Sequence, residues 1–137
     1  MRRRARALTA TTLAGLAILH VAWGRGSTFP FATQDDLADA VVGRHAVPSP
    51  GACYAVATAL SIAGGLVADV PVGPAPLRRV GRYGVATVLA ARGLVGVLGR
   101  TDVLSPGSAS ARFRRLDRRL FAPLCLALAT GAVISST

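Results

Sequence analysis

Residues 7–23 read ALTATTLAGLAILHVAW, a block without formal charge whose polar members are Thr9, Thr11, Thr12 and His20. On a helix its apolar character runs around the whole circumference. A helix of a soluble bundle instead opposes an apolar stripe with a charged face. Crossing a bilayer takes about 17–25 such residues at roughly 1.5 Å each, and this block is long enough. Residues 1–6 and 8–21 also resemble the charged and apolar regions of a signal peptide. No A-x-A site follows, however, and three further apolar blocks do, so the block reads as a retained first span.

Those blocks lie at 52–70, with Asp69 at its end, at 83–99, with Arg92 inside, and at 120–136, which is charge-free. The last can extend to Thr137 with its Ser-Ser-Thr tail in the interface. The expectation is one integral membrane domain over 1–137, all-α, a four-transmembrane-helix antiparallel bundle with spans near 7–23, 52–70, 83–99 and 120–136. Composition agrees. The 137 residues are 52% hydrophobic and 16% charged, against about 25% charged in soluble domains. Apolar content excludes disorder, and two cysteines exclude a disulfide framework.

All sixteen basic residues are Arg and the net charge is +10. A pI of 11.7 raises nucleic acid as a partner. The arginines nevertheless fall in groups between apolar blocks, as in a bilayer protein, so membrane lipids are the expected partners and nucleic acid is not. Self-association as a homo-oligomer or another membrane partner stays open. The Ala-, Gly- and Arg-rich, Lys-free composition fits a GC-rich bacterial genome, which places the chain in a bacterial inner membrane. Orientation leans on Arg2, Arg3, Arg4 and Arg6, which favour a cytoplasmic N-terminus. The full count is balanced: seven Arg on that side and eight on the other.

The loops differ in kind. In the first, residues 24–51, Thr33 followed by Asp36 resembles a capping box and Gly43 suits a helix C-cap, so a short interfacial helix is expected near 34–42. PVGPAPLRR is brief and proline-broken, which makes the second and third spans a hairpin. The third loop carries SPGSAS and then RFRRLDRR. Small residues recur four apart (Ala55, Ala59, Ala63; Ala57, Ser61, Gly65; Ala127, Gly131, Ser135), as helix packing in lipid favours.

Alternating spans bring loops one and three to the same face. That face collects His20, Asp35, Asp36, Asp39, Arg92 and Asp117 as a candidate polar cluster, with Cys53 and Tyr54 beside it; Asp69 and the second-loop arginines belong to the other. Arg92 lies about 12 Å along the axis from Arg100, at ~1.5 Å per residue. A charge that deep costs at least about 2.5 kcal/mol, so it should find an acceptor, Asp117 or a loop-one aspartate. Without one, it snorkels or binds an anion. His20 is expected to hydrogen-bond into loop one. Haem ligation would need a second intramembrane His, and His45 falls in the loop. No CxxC or Cys/His ligand spacing exists. Asp35 and Asp39, four apart on one helix face, could bind a cation or act as a carboxylate pair, but read better as solvated interfacial charge. No Walker, GxGxxG, HExxH or GxSxG motif occurs. No catalytic residue, metal or cofactor is therefore assigned. Two further readings are a transporter or lipid/anion-binding accessory protein using Arg92, and a membrane enzyme acting on a lipid or quinone through Asp35, Asp39 or His20.

HVAWGRGSTFPF, LADAVVG, PSPGACYAVA, LAARGLVG and FRRLDRRLFAPLCLALA, in that order, resemble an uncharacterised bacterial family of small four-helix integral membrane proteins, a domain of unknown function. The most specific string is Leu-Asp-Arg-x-x-aromatic-x-Pro-Leu-Cys-Leu at 116–126, with Phe121 and Ala122 where Tyr and Ser are more usual. The resemblance implies four spans and no assigned activity. Pro123 is expected in the first turn of the last helix, where its missing N–H costs little.

Overall fold

Several helices begin where the sequence supplies a capping side chain. The computed structural model describes residues 1–44, 46–104, 106 and 110–136, and these are helical and loop throughout. His45, most of SPGSAS and Thr137 lie outside the described residues. In chain order the elements are α1 (Arg2–Gly24), α2 (Gln34–Val41), α3 (Pro50–Ala68), α4 (Ala75–Val97), α5 (Thr101–Leu104), α6 (Ala111–Leu116), a π-helical turn (Asp117–Phe121) and α7 (Ala122–Ser136).

The expected short helix forms as α2. Thr33 Oγ1 accepts from Asp36 N–H at 3.1 Å and donates to Asp36 Oδ2 at 3.0 Å. Gly43, at φ +75°, closes the other end by donating to Ala38 O. Ser49 caps α3, with Pro50 behind it, and Ser110 caps α6. Asp69 takes the left-handed conformation that ends α3, at φ +62°.

The long helices start earlier than their apolar blocks, α1 already at Arg2. α4 begins at Ala75, well before 83, because Pro76 is preset for a first helical turn. It thus carries Arg78, Arg79, Arg82 and Arg92. Among the described residues, three helices are long and apolar enough to cross a membrane: Arg2–Gly24, Pro50–Ala68 and the continuous Ala111–Ser136. The last helix does not start at 120 with Pro123 in its first turn; it is already running from Ala111. A proline inside a regular helix collides with the carbonyl four residues back. Here the preceding turn is widened, and Ala122 N–H donates to Asp117 O, five residues back.

α1 packs antiparallel on α3 and α4 antiparallel on α7, with α1 also against α7. Small residues set the approach. A Cβ on Gly64 would lie 3.6 Å from Ala10 O and from Leu13 Cβ, and one on Gly131 would run into Thr9. Ala57 and Ser135 are buried in these intramolecular contacts, whereas a Cβ on Gly65 would meet open space. The core is thin, built on Leu13, Val67, Ala86, Leu128 and Ala132. Leu8, Ile18, Ile62, Val88, Leu94 and Leu98 point outward and exposed. Hydroxyls within the helices close on their own chain: Thr12, Thr58, Ser61, Thr87, Thr130 and Ser135 each donate to the carbonyl four residues earlier. That suits hydrocarbon, which offers no partner of its own.

Gly93 tests the close approach. A Cβ there would lie 2.6 Å from Leu126 Cγ and 2.9 Å from Ala122 O. Gly93→Ala should destabilise the protein by about 1–3 kcal/mol. Gly84, whose Cβ would meet nothing within 4 Å, should tolerate Ala with no loss and a gain of up to about 1 kcal/mol. Thermal melts in one detergent would show the contrast; equal shifts would refute it.

Candidate functional site

One end of the bundle gathers the C-termini of α1 and α4, the start of α3, α2, α6 and the π turn. There Arg92 donates through one terminal nitrogen to Asp117 Oδ1 at 2.5 Å. Asp117 is 0% exposed, so its charge has no water to rely on. Gly96 makes the room. A Cβ at that position would stand 2.6 Å from Asp117 Oδ2 and 3.0 Å from the other terminal nitrogen of Arg92. Among the described residues those two atoms have no further hydrogen-bond partner. The π turn begins at Asp117, which joins the widened turn to the ion pair.

Loops one and three meet beside this pair. Arg112 reaches Asp36 at 3.2 Å and Asp39 at 3.7 Å, and its guanidinium stands 5.7 Å from the centre of the Phe31 ring. Ser110 donates from its backbone to Gly43 O at 3.1 Å and from its hydroxyl to Asp39 O at 3.4 Å. Arg44 donates to the Pro106 carbonyl. Asp35 lies in the first turn of α2 and makes no ion pair among the described residues.

His20 turns elsewhere. Instead of bonding into loop one, its Nδ1 lies 2.8 Å from Leu16 O in its own helix, because that carbonyl is one turn away. A carbonyl only accepts, so Nδ1 carries the proton, and in the neutral ring Nε2 presents a lone pair. The ring stands 4.8 Å from that of Trp23, whose indole N–H donates to Phe29 O. His20 and Trp23 line a cavity of about 450 Å³ between α1, α2 and α3, walled by Leu37, Val41, Val47 and Val56, with Arg25 and Gln34 at its polar edge.

The six residues singled out in the sequence thus divide. Arg92 and Asp117 form one pair, Asp36 and Asp39 share Arg112, His20 lines the cavity, and Asp35 stands alone. Arg112 is the participant the sequence did not single out. Its signal was available, since Asp36 and Asp39 are three apart on one helical face opposite a basic third loop. Cys53 and Cys125 are free thiols. Among the described residues no three His, Cys, Asp or Glu side chains group as a metal site.

At the opposite end Asp69, just past α3, accepts from Arg82 at 2.6 Å and Arg78 at 3.1 Å, with Arg6 at 3.6 Å. The hydrogen bonds from Arg78 and then Arg82 hold its carboxyl below the ordinary value of 3.8.

Long apolar helices tied by ion pairs at both ends define a helical protein with several candidate membrane-spanning segments. The chain belongs to the family described as Protein of unknown function (DUF3995), matched over residues 13–132. No curated protein and no solved structure matches it.

Breaking a buried ion pair from one side costs about 3–5 kcal/mol, because the partner's charge is left alone. Arg92→Leu and Asp117→Asn should each lower the melting temperature in detergent, and the double variant should lose less than their sum. Additive losses would disprove the coupling. Asp69 has a pH signature. Its depressed carboxyl stabilises the fold above about 3.8, the unfolded value, and that contribution fades as pH falls through the lower folded value. The stability gap between wild type and Asp69→Asn should therefore hold from pH 7 to about 5 and close below the carboxylate range. A gap unchanged at pH 2 would contradict it.

Proposed function

We propose that the chain is a four-span integral protein of the bacterial inner membrane, with its N-terminus cytoplasmic, that acts as a lipid-binding accessory protein. The cavity beneath α2 is the observation that carries this reading. Binding sites for small molecules usually enclose about 300–1,000 Å³ of mainly apolar wall with a few polar groups, and this one has about 450 Å³. The polar groups fit an amphipathic, membrane-soluble molecule. A hydroxyl would donate to His20 Nε2, Arg25 lies at the edge, and the apolar body would lie against Leu37, Val41 and Val56.

Three helices qualify as spans by length and composition, and α4 is the fourth. Arg78, Arg79 and Arg82 sit in its first turns, and Arg78 and Arg82 are held by Asp69 at the bundle's edge. Arg92, the deep charge, is met by Asp117. Outward-facing leucine, isoleucine and valine side chains on α1, α3 and α4 then contact lipid tails rather than water. Because Arg92 is committed to Asp117, an anion-binding role for it is disfavoured. The ion pairs of Arg112 with Asp36 and Asp39 tie α6 to α2, which walls the cavity.

Val56→Trp fills the cavity from its α3 wall. Protein purified in mild detergent should carry a co-purified apolar molecule detectable by mass spectrometry, and the variant should carry at least tenfold less at an unchanged melting temperature. Equal content in both proteins would overturn the binding role. Labelling of cysteines engineered at residues 28 and 72 checks the orientation.

A further inference from the structure

The six carboxylates of this chain cannot cover its sixteen arginines, and among those without an ion pair in the described residues, Arg115, Arg118 and Arg119 stand directly before the last apolar helix. Asp69 serves Arg6, Arg78 and Arg82; Asp36 and Asp39 serve Arg112; Asp102 serves Arg100; Asp117 is buried against Arg92. Asp35 makes no ion pair among the described residues. Within the same residues Arg115, Arg118 and Arg119 have no carboxylate, and together with Arg114 they line a single concavity of about 300 Å³. Positions 114 and 118, and 115 and 119, are four apart, so like charges stack on one helical face. Such pairs weaken a helix unless an anion lies between them. The Arg118 guanidinium lies over Gly99, where a Cβ would stand.

The residues next along the chain identify the anion. Leu120 is exposed, and the apolar α7 begins at Ala122. Cationic forks and an apolar column thus adjoin on one helix. A phosphate diester with acyl chains matches both parts: guanidinium groups grip phosphate oxygens in pairs, and the chains lie beside Leu120 and α7. Arginines beside a membrane surface are drawn to anionic headgroups by their charge.

We propose that Arg114, Arg115, Arg118 and Arg119 form a binding site for the phosphate of an anionic phospholipid headgroup. The inference relies on α7 lying in a bilayer and not on the cavity beneath α2. Val56→Trp should leave this lipid bound, so the two readings fail separately.

The test is native mass spectrometry of protein released from nanodiscs of equal phosphatidylglycerol and phosphatidylcholine. Wild type should retain phosphatidylglycerol at least tenfold over phosphatidylcholine. The Arg115→Gln/Arg118→Gln/Arg119→Gln variant should lose that preference at an unchanged melting temperature. If the triple variant fails to fold, Arg115→Glu alone should lower phosphatidylglycerol retention several-fold. Raising salt from 50 to 500 mM on wild type should lower it at least tenfold. No preference in wild type, or an equal preference in a folded triple variant, overturns the proposal. Inorganic phosphate at 1 mM should leave the retained lipid in place. Full displacement by it would overturn the lipid assignment and leave a free-phosphate site.

Discussion

A guanidinium placed among apolar helices must be met by an opposite charge from the same chain, and much of the α4–α7 half follows from that demand. Arg92 sits too far along α4 to be ignored. Its partner, Asp117, comes from the neighbouring helix and is fully buried. Two local departures from regular helix surround the pair. Gly96 removes the side chain that would occupy the space between the charges, and the π turn opens at the aspartate itself. Pro123 requires some relief of the helix at nearly the same point, so one widened turn serves both the proline and the ion pair.

At the other end the solution is different. Asp69 ends α3 by adopting a left-handed backbone conformation and also receives arginines from α1 and α4. A single residue is thus both helix terminator and counter-ion. Between the ends, side-chain hydroxyls are satisfied within their own helices, and cohesion comes from glycine and alanine letting backbones approach. In lipid, helix association draws little on the hydrophobic effect and depends on such contacts. The thin core and the apolar exterior follow from the same principle.

Features encoded over a few neighbouring residues were legible in the sequence. α2 could be read from Thr33, Asp36 and Gly43 because capping is a local exchange of hydrogen bonds. The need of Arg92 for an acceptor could be read from its depth, and Asp117 was among the acceptors that topology allowed. Features set by distances between distant segments were not legible. Nothing in LVGVLG marks Gly96 as the glycine that admits a carboxylate. Arg112 reads as one basic residue among many until loop one is folded against it. His20 was expected to reach outward, but a carbonyl in its own helix was nearer. Pro123 reads as the start of a helix because a widened turn upstream has no signature in residue types alone.

The pairing of α1 with α3 and of α4 with α7 bears on biogenesis. Synthesis proceeds from the N-terminus, so the first two long helices can dock before the second two have left the ribosome. The early pair needs nothing from residues beyond α3 to make its Gly64 contact. Arg92, by contrast, emerges before Asp117 and spends that interval without its carboxylate. The α4 helix therefore stays incomplete until α7 arrives, which makes the late half of the chain the vulnerable part of its assembly.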